Sequence, residues 1–146
     1  MAQNKAIPLN FQKKKLQCLY SRLIDNICVK NSQLICYMRI QPTSKSTEYR
    51  VKISLKFKCT PRVWLIKPKE IAKYDGKEPH HTYKTRDKDG HVELCVFFPQ
   101  KDEWNDQKLL ADTFIPWVVT WLSAYEYWQI TGTWIYPESN DLNKKI

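Results

Sequence analysis

Between residues 49 and 58 the chain alternates without a break. Tyr49, Val51, Ile53, Leu55 and Phe57 are apolar, while Arg50, Lys52, Ser54, Lys56 and Lys58 are polar or basic. Successive side chains of a strand point to opposite faces, so this period of two prescribes a strand with one dry and one wet face. Such a strand needs partners along its edges and an apolar cover over its dry side. The apolar runs Leu34–Gln41 and Val63–Lys67 supply the partners, and Pro42-Thr43-Ser44 and Pro61 mark the turns between them. Turns this short join antiparallel neighbours, so a meander is expected.

The cover is legible near the other end of the chain. Phe114, Trp117, Val118, Trp121, Leu122, Tyr125 and Trp128 recur at helical spacing and form one apolar stripe. Asp112 or Thr113 can cap the start, Pro116 is tolerated in the first turn, and Gly132 can close the end, giving a helix of about 16 to 18 residues. Core packing against the sheet is the reading of these aromatics, in preference to a base-stacking surface. At the other end, Leu16, Leu19, Tyr20, Leu23, Ile24 and Ile27 fit a second amphipathic helix over Phe11–Cys28, its outer face carrying Lys13, Lys14, Lys15 and Arg22. Met1 to Asn10 show no periodicity and read as a loose arm. Pro68 to Gly90 read as a long polar loop, and Val92 to Phe98 as a short fourth strand. The expected fold class is α+β, a four-stranded antiparallel meander flanked by an N-terminal and a C-terminal helix, in one domain spanning residues 1–146.

Composition narrows the functions. Twenty-four Lys and Arg against 15 Asp and Glu give a net charge of +9, so the surface attracts acidic partners. The basic faces, Lys13 to Lys15 and Lys52, Lys56 and Lys58, are either solvated or docking surfaces for an acidic protein; nothing beyond charge points to nucleic acid. The longest apolar run, Phe114 to Ala124, falls short of the ~20 residues that a membrane-spanning helix needs. No leading segment has the pattern of an export signal, so a cytoplasmic protein is expected. Five cysteines, Cys18, Cys28, Cys36, Cys59 and Cys95, are an odd number without a C-x-x-C pair and read as free thiols. Zinc-site spacings and glycine-rich phosphate loops are missing from the sequence, so neither a metal nor a cofactor is expected.

Taken alone, Cys95 in Leu94-Cys95-Val96-Phe97 has the setting of a core thiol. Its context makes it the candidate nucleophile: Pro79-His80-His81-Thr82-Tyr83 precedes it, and a polar turn leading to Trp104 follows. These residues, with Asp89-Gly90, Glu103-Trp104 and a terminal aromatic helix, resemble the active-site region of ubiquitin-conjugating enzymes, and the order of elements is similar too. Thr113-x-Ile115-Pro116-Trp117, Trp121-Leu122, Tyr125-Glu126-x-Trp128 and Thr131-Gly132-x-Trp134 make the chain similar, over roughly residues 79 to 138, to the small stand-alone bacterial members encoded with cyclic-oligonucleotide synthases in CBASS anti-phage systems.

That resemblance implies a ubiquitin-conjugating type of fold and an acyltransferase. Cys95 would take a protein C-terminus, that of the synthase, as a thioester and pass it to an amine; the alternative is a catalytically idle variant that uses the same fold only to grip the synthase. A thiolate suits this work because it is both a strong nucleophile and a good leaving group. A nearby His, Lys101 or a sheet-end position would raise the thiolate fraction. Ubiquitin-conjugating enzymes generally carry a His-Pro-Asn tripeptide, whereas residues 79–83 here contain no Asn. His81, Tyr83 or backbone amides are therefore the candidates to stabilise an oxyanion. His80 and His91 read as solvated, and Trp104 as a cover over the loop after Cys95.

Overall fold

The alternating segment occupies an interior position of a six-stranded antiparallel sheet rather than a four-stranded one. The computed structural model describes residues 5–97 and 102–135. Helix α1 (Leu9–Tyr20) precedes strands β1 (Ile24–Lys30), β2 (Gln33–Ile40), β3 (Tyr49–Lys56), β4 (Arg62–Lys67), β5 (Thr82–Arg86) and β6 (Val92–Leu94), and helix α2 (Phe114–Thr131) follows. The strand order is β1-β2-β3-β4-β6-β5. The first four strands form the expected meander; the chain then runs out to the edge as β5 and returns between β5 and β4 as β6.

Three expectations need correction. The helix expected over Phe11–Cys28 ends at Tyr20, and Ile24, Ile27 and Cys28 lie in β1. Asn31 and Ser32 adopt φ of 54° and 59° between the paired residues Lys30 and Gln33, the two-residue geometry that closes a tight hairpin. That hairpin, with the β-branched Ile24, Ile27 and Val29, outcompetes continuation of the helix. The loose arm is also shorter: Leu9 is buried at the start of α1, and the Ile7 N–H donates to the Asp106 carbonyl at 2.7 Å. Residues 1–4 of the arm lie outside the described residues. Lastly, the polar stretch 68–90 contains β5, whose exposed outer positions hid it from the periodicity.

Within β3 the predicted alternation holds to residue 56; Phe57 turns away and is half-exposed, because Lys58 takes a left-handed φ of 67°. The dry face presents Val51, Ile53 and Leu55 beside Leu34, Cys36 and Met38 of β2 and Val63 and Leu65 of β4, all buried. The stripe of α2 joins the same core through Phe114, Val118, Trp121, Leu122, Tyr125 and Trp128. Gly132 ends α2 in a left-handed conformation at φ 77°, donating its N–H to Trp128. Thr113 stands at the helix start without capping it, since its hydroxyl donates to the Leu109 carbonyl at 2.8 Å and accepts from Trp104 Nε1 at 3.0 Å. No helix among the described residues is long and apolar enough to cross a membrane.

α1 anchors the segment that leads into α2. The buried Gln12 amide donates to the Lys108 carbonyl and accepts from the Leu110 N–H, each at 2.9 Å, and the Tyr20 hydroxyl donates to the Ala111 carbonyl at 3.0 Å. Leaving a buried polar group unpaired costs about 1–3 kcal/mol. Gln12→Ala should therefore destabilise the domain by about 2–4 kcal/mol, read as a lower urea midpoint with an unchanged slope.

Candidate active site

β6 ends at Leu94, which pairs with Thr82 of β5, so residues 95 and 81 face each other just past the last rung. There the Cys95 N–H donates to the His81 carbonyl at 2.9 Å. The same oxygen accepts from Trp121 Nε1 on α2 at 3.0 Å. A carbonyl has two lone pairs, and both are used here to lock the cysteine's backbone to the helix. The His81 ring packs 5.0 Å from the Trp134 ring, which lies 5.2 Å from that of Trp121.

The Cys95 side chain is half-buried, with Sγ 3.5 Å from the Phe97 carbonyl. Tyr83 of β5 lies near the thiol and feels its charge. Burial, then the adjacent thiol and the Glu93 carboxylate, push the Tyr83 phenol above its ordinary range, and Arg62 only partly offsets this. Tyr83 is thus held neutral, able to donate a hydrogen bond next to a sulfur. The contrast with Cys36 is instructive: that thiol is buried in the core, and burial followed by the Asp25 charge pushes it up to about 12.

Beside the thiol runs a groove of about 280 Å³ lined by Thr60, Pro61, Arg62, Tyr83, Thr85, Glu93, Leu94, Val96, Phe97 and Phe114. Its polar wall is a bidentate ion pair in which Arg62 Nε and Nη2 donate to Glu93 at 2.9 and 2.8 Å. The Glu93 side chain is only 7% exposed. A carboxylate buried that deeply must be paired, and two charge-assisted bonds to one planar guanidinium satisfy it.

The structure therefore joins Cys95 to His81 through the backbone and brings Tyr83 close to its thiol. His80 is exposed, whereas His91, read as solvated, is half-buried with Nδ1 2.9 Å from the Asp87 carboxylate. Asp87 closes the β5–β6 turn by accepting from the backbone N–H groups of Asp89 and His91. Burial opposes its charge, but those donors outweigh it and hold the carboxyl below its usual range. Trp104 is buried at 3% exposure. Lys101, expected to raise the thiolate fraction of Cys95, and Phe98 at the end of the expected fourth strand lie outside the described residues. The sequence reading missed Arg62, Glu93 and the bond from Trp121. Glu93 was the available signal, as the lone charge inside the apolar run Val92–Phe98.

Comparison with protein families matches residues 12–141 to E2-CBASS, described as type II CBASS E2 protein. No curated protein matches the chain.

If the His81 carbonyl is the fixed point of the site, Trp121→Phe should fold, lose about 1–3 kcal/mol with its donor, and speed hydrogen exchange at the Cys95 amide. Unchanged protection of that amide, measured by NMR, would detach Trp121 from the site.

Proposed function

The chain belongs to the type II CBASS E2 family, with an E2-like role in CBASS defence, and on that premise we propose that Cys95 carries a protein C-terminus as a thioester. The observation that supports this most is the pairing of a partly exposed thiol with a neutral tyrosine hydroxyl at the wall of a groove. The order of α1, meander, cysteine segment and terminal helix supports reading the fold as ubiquitin-conjugating in type, with β5 and β6 extending the four-stranded sheet.

The chemistry divides between two steps. In the first, the Cys95 thiolate attacks the carbonyl carbon of an activated C-terminus, an acyl adenylate or a thioester; the carbon–sulfur bond forms and the activating group leaves. In the second, an amine attacks the same carbon, the carbon–nitrogen bond forms, the amine loses its proton, and Cys95 departs as thiolate. In the first step negative charge moves from sulfur to the carbonyl oxygen as the tetrahedral species forms; in the second it develops on that oxygen as the amine adds and passes to sulfur as Cys95 leaves. Tyr83, neutral and close to the thiol, is our candidate to meet that charge in a chain without the Asn of the His-Pro-Asn tripeptide. His81 acts as a positioning residue: its carbonyl fixes the Cys95 amide, and its ring is held by Trp134. The cargo that fits this reading is the cyclic-oligonucleotide synthase of the same defence system, and the compartment is the bacterial cytoplasm.

Co-expression with the synthase and its neighbouring genes, followed by non-reducing electrophoresis, tests the proposal. Wild type should give an adduct cleaved by thiol reductant, Cys95→Ala none, and Cys95→Ser an ester-like adduct that survives reductant. Tyr83→Phe should slow adduct formation by about a hundredfold, the lower end of what loss of an oxyanion donor costs. His81→Ala should slow it without unfolding the domain. An adduct that persists in Cys95→Ala would overturn the assignment.

A further inference from the structure

The groove beside Cys95 has a neighbour on the wet face of the sheet. A second hollow, about 250 Å³, is lined by Gln33, Ser54, Lys56, Cys59, Thr60, Arg62 and Trp64, and it shares Thr60 and Arg62 with the first. The indole of Trp64 forms part of its floor, with Arg62 Cζ 4.9 Å and Lys52 Nζ 5.3 Å from the ring centroid. The charges here are unbalanced. Arg62 is neutralised by Glu93, and the acids elsewhere on this face, Asp25 and Glu48, are taken by Arg39 and Arg50. Among the described residues, Lys52, Lys56 and Lys58 have no carboxylate partner.

We propose that these two adjoining hollows seat the C-terminal tail of the acyl donor, and that the tail is acidic a few residues before its terminal carbonyl. The proposal rests on the thioester reading, which requires that carbonyl to reach Cys95. Lys56 on β3 is two strands from β6, a distance of about 10 Å at roughly 4.8 Å per strand. An extended peptide advances about 3.3 Å per residue, so the lysines meet side chains about three to five positions upstream of the reacting carbon. Charge complementarity selects an acidic segment there, while the aliphatic lysine stems accept its apolar parts. An extended peptide is favoured over nucleic acid because the hollow is narrow, has Trp64 largely covered at 8% exposure, and leads to a nucleophile rather than to a stacking surface.

Binding can be separated from chemistry by using full-length Cys95→Ala and fluorescein-labelled octapeptides ending in glycine. One peptide carries glutamates at the third to fifth positions before the terminal glycine, a second has glutamines there, and a third has the glutamates moved to its N-terminal end. The first should bind about tenfold more tightly than the others at low salt, approaching parity at high salt as the charges are screened. The double variant Lys56→Glu with Lys58→Glu, at exposed positions, should abolish the preference while the far-ultraviolet spectrum stays unchanged. Equal affinity for all three peptides, or a preference that survives the double variant, would overturn the proposal; so would tighter binding of a single-stranded oligothymidine of matched charge. Loss of this preference with the reducible adduct intact would refute the tail groove alone, whereas absence of the adduct with the preference intact would refute the thioester reading alone.

Discussion

Two hydrogen bonds converge on the carbonyl oxygen of His81, and the candidate site depends on them. One comes from the backbone of Cys95, the other from the indole of Trp121, so a loop carbonyl joins the edge of the sheet to the C-terminal helix. Cys95 lies one residue beyond the last paired position of β6, where the ladder no longer constrains it. The bond to His81 supplies the missing rung, and Trp121 prevents the rung from moving. Because Trp121 is itself buried in the core, the position of the thiol is tied to the packing of the whole domain.

That arrangement reconciles two demands that conflict in most cores. A thiol packed among apolar side chains is difficult to ionise, as Cys36 illustrates, and a thiol on an open surface has nothing to orient it. Cys95 is half-buried, with a groove beside it and Tyr83 close to its sulfur. Burial is the main reason the Tyr83 phenol retains its proton; the adjacent thiol and the Glu93 carboxylate add to it, and Arg62 partly offsets them. In the proposed reaction that proton is what the developing oxyanion meets.

Much of this architecture could be read from residue patterns because the patterns and the burial coincide. The alternation in β3 and the aromatic stripe of α2 each define one face, and the two faces enclose the core. Elements failed to declare themselves where the deciding force was not periodic. The segment from Ile24 to Val29 fits either helix or strand by its apolar spacing, and the choice is made by the left-handed turn at Asn31 and Ser32, a position where Ser gives little warning. β5 is an edge strand with exposed residues on both sides of its alternation, so it looks like loop until β6 pairs with it. At the site, Cys95, His81 and Tyr83 stood out by residue type and by family resemblance. Arg62 comes from a distant strand, and its partnership with Glu93 is a fact of sheet order, set when β6 inserts beside β4.

The account comes down to whether an incoming electrophile can reach the Cys95 sulfur in the folded protein. Brief treatment of the native chain with iodoacetamide, followed by peptide mapping, measures this directly. The account predicts that Cys95 is alkylated along with the exposed Cys18, Cys28 and Cys59, while Cys36 reacts only after unfolding. A native chain in which those three thiols are labelled and Cys95 stays unmodified until denaturation would contradict it.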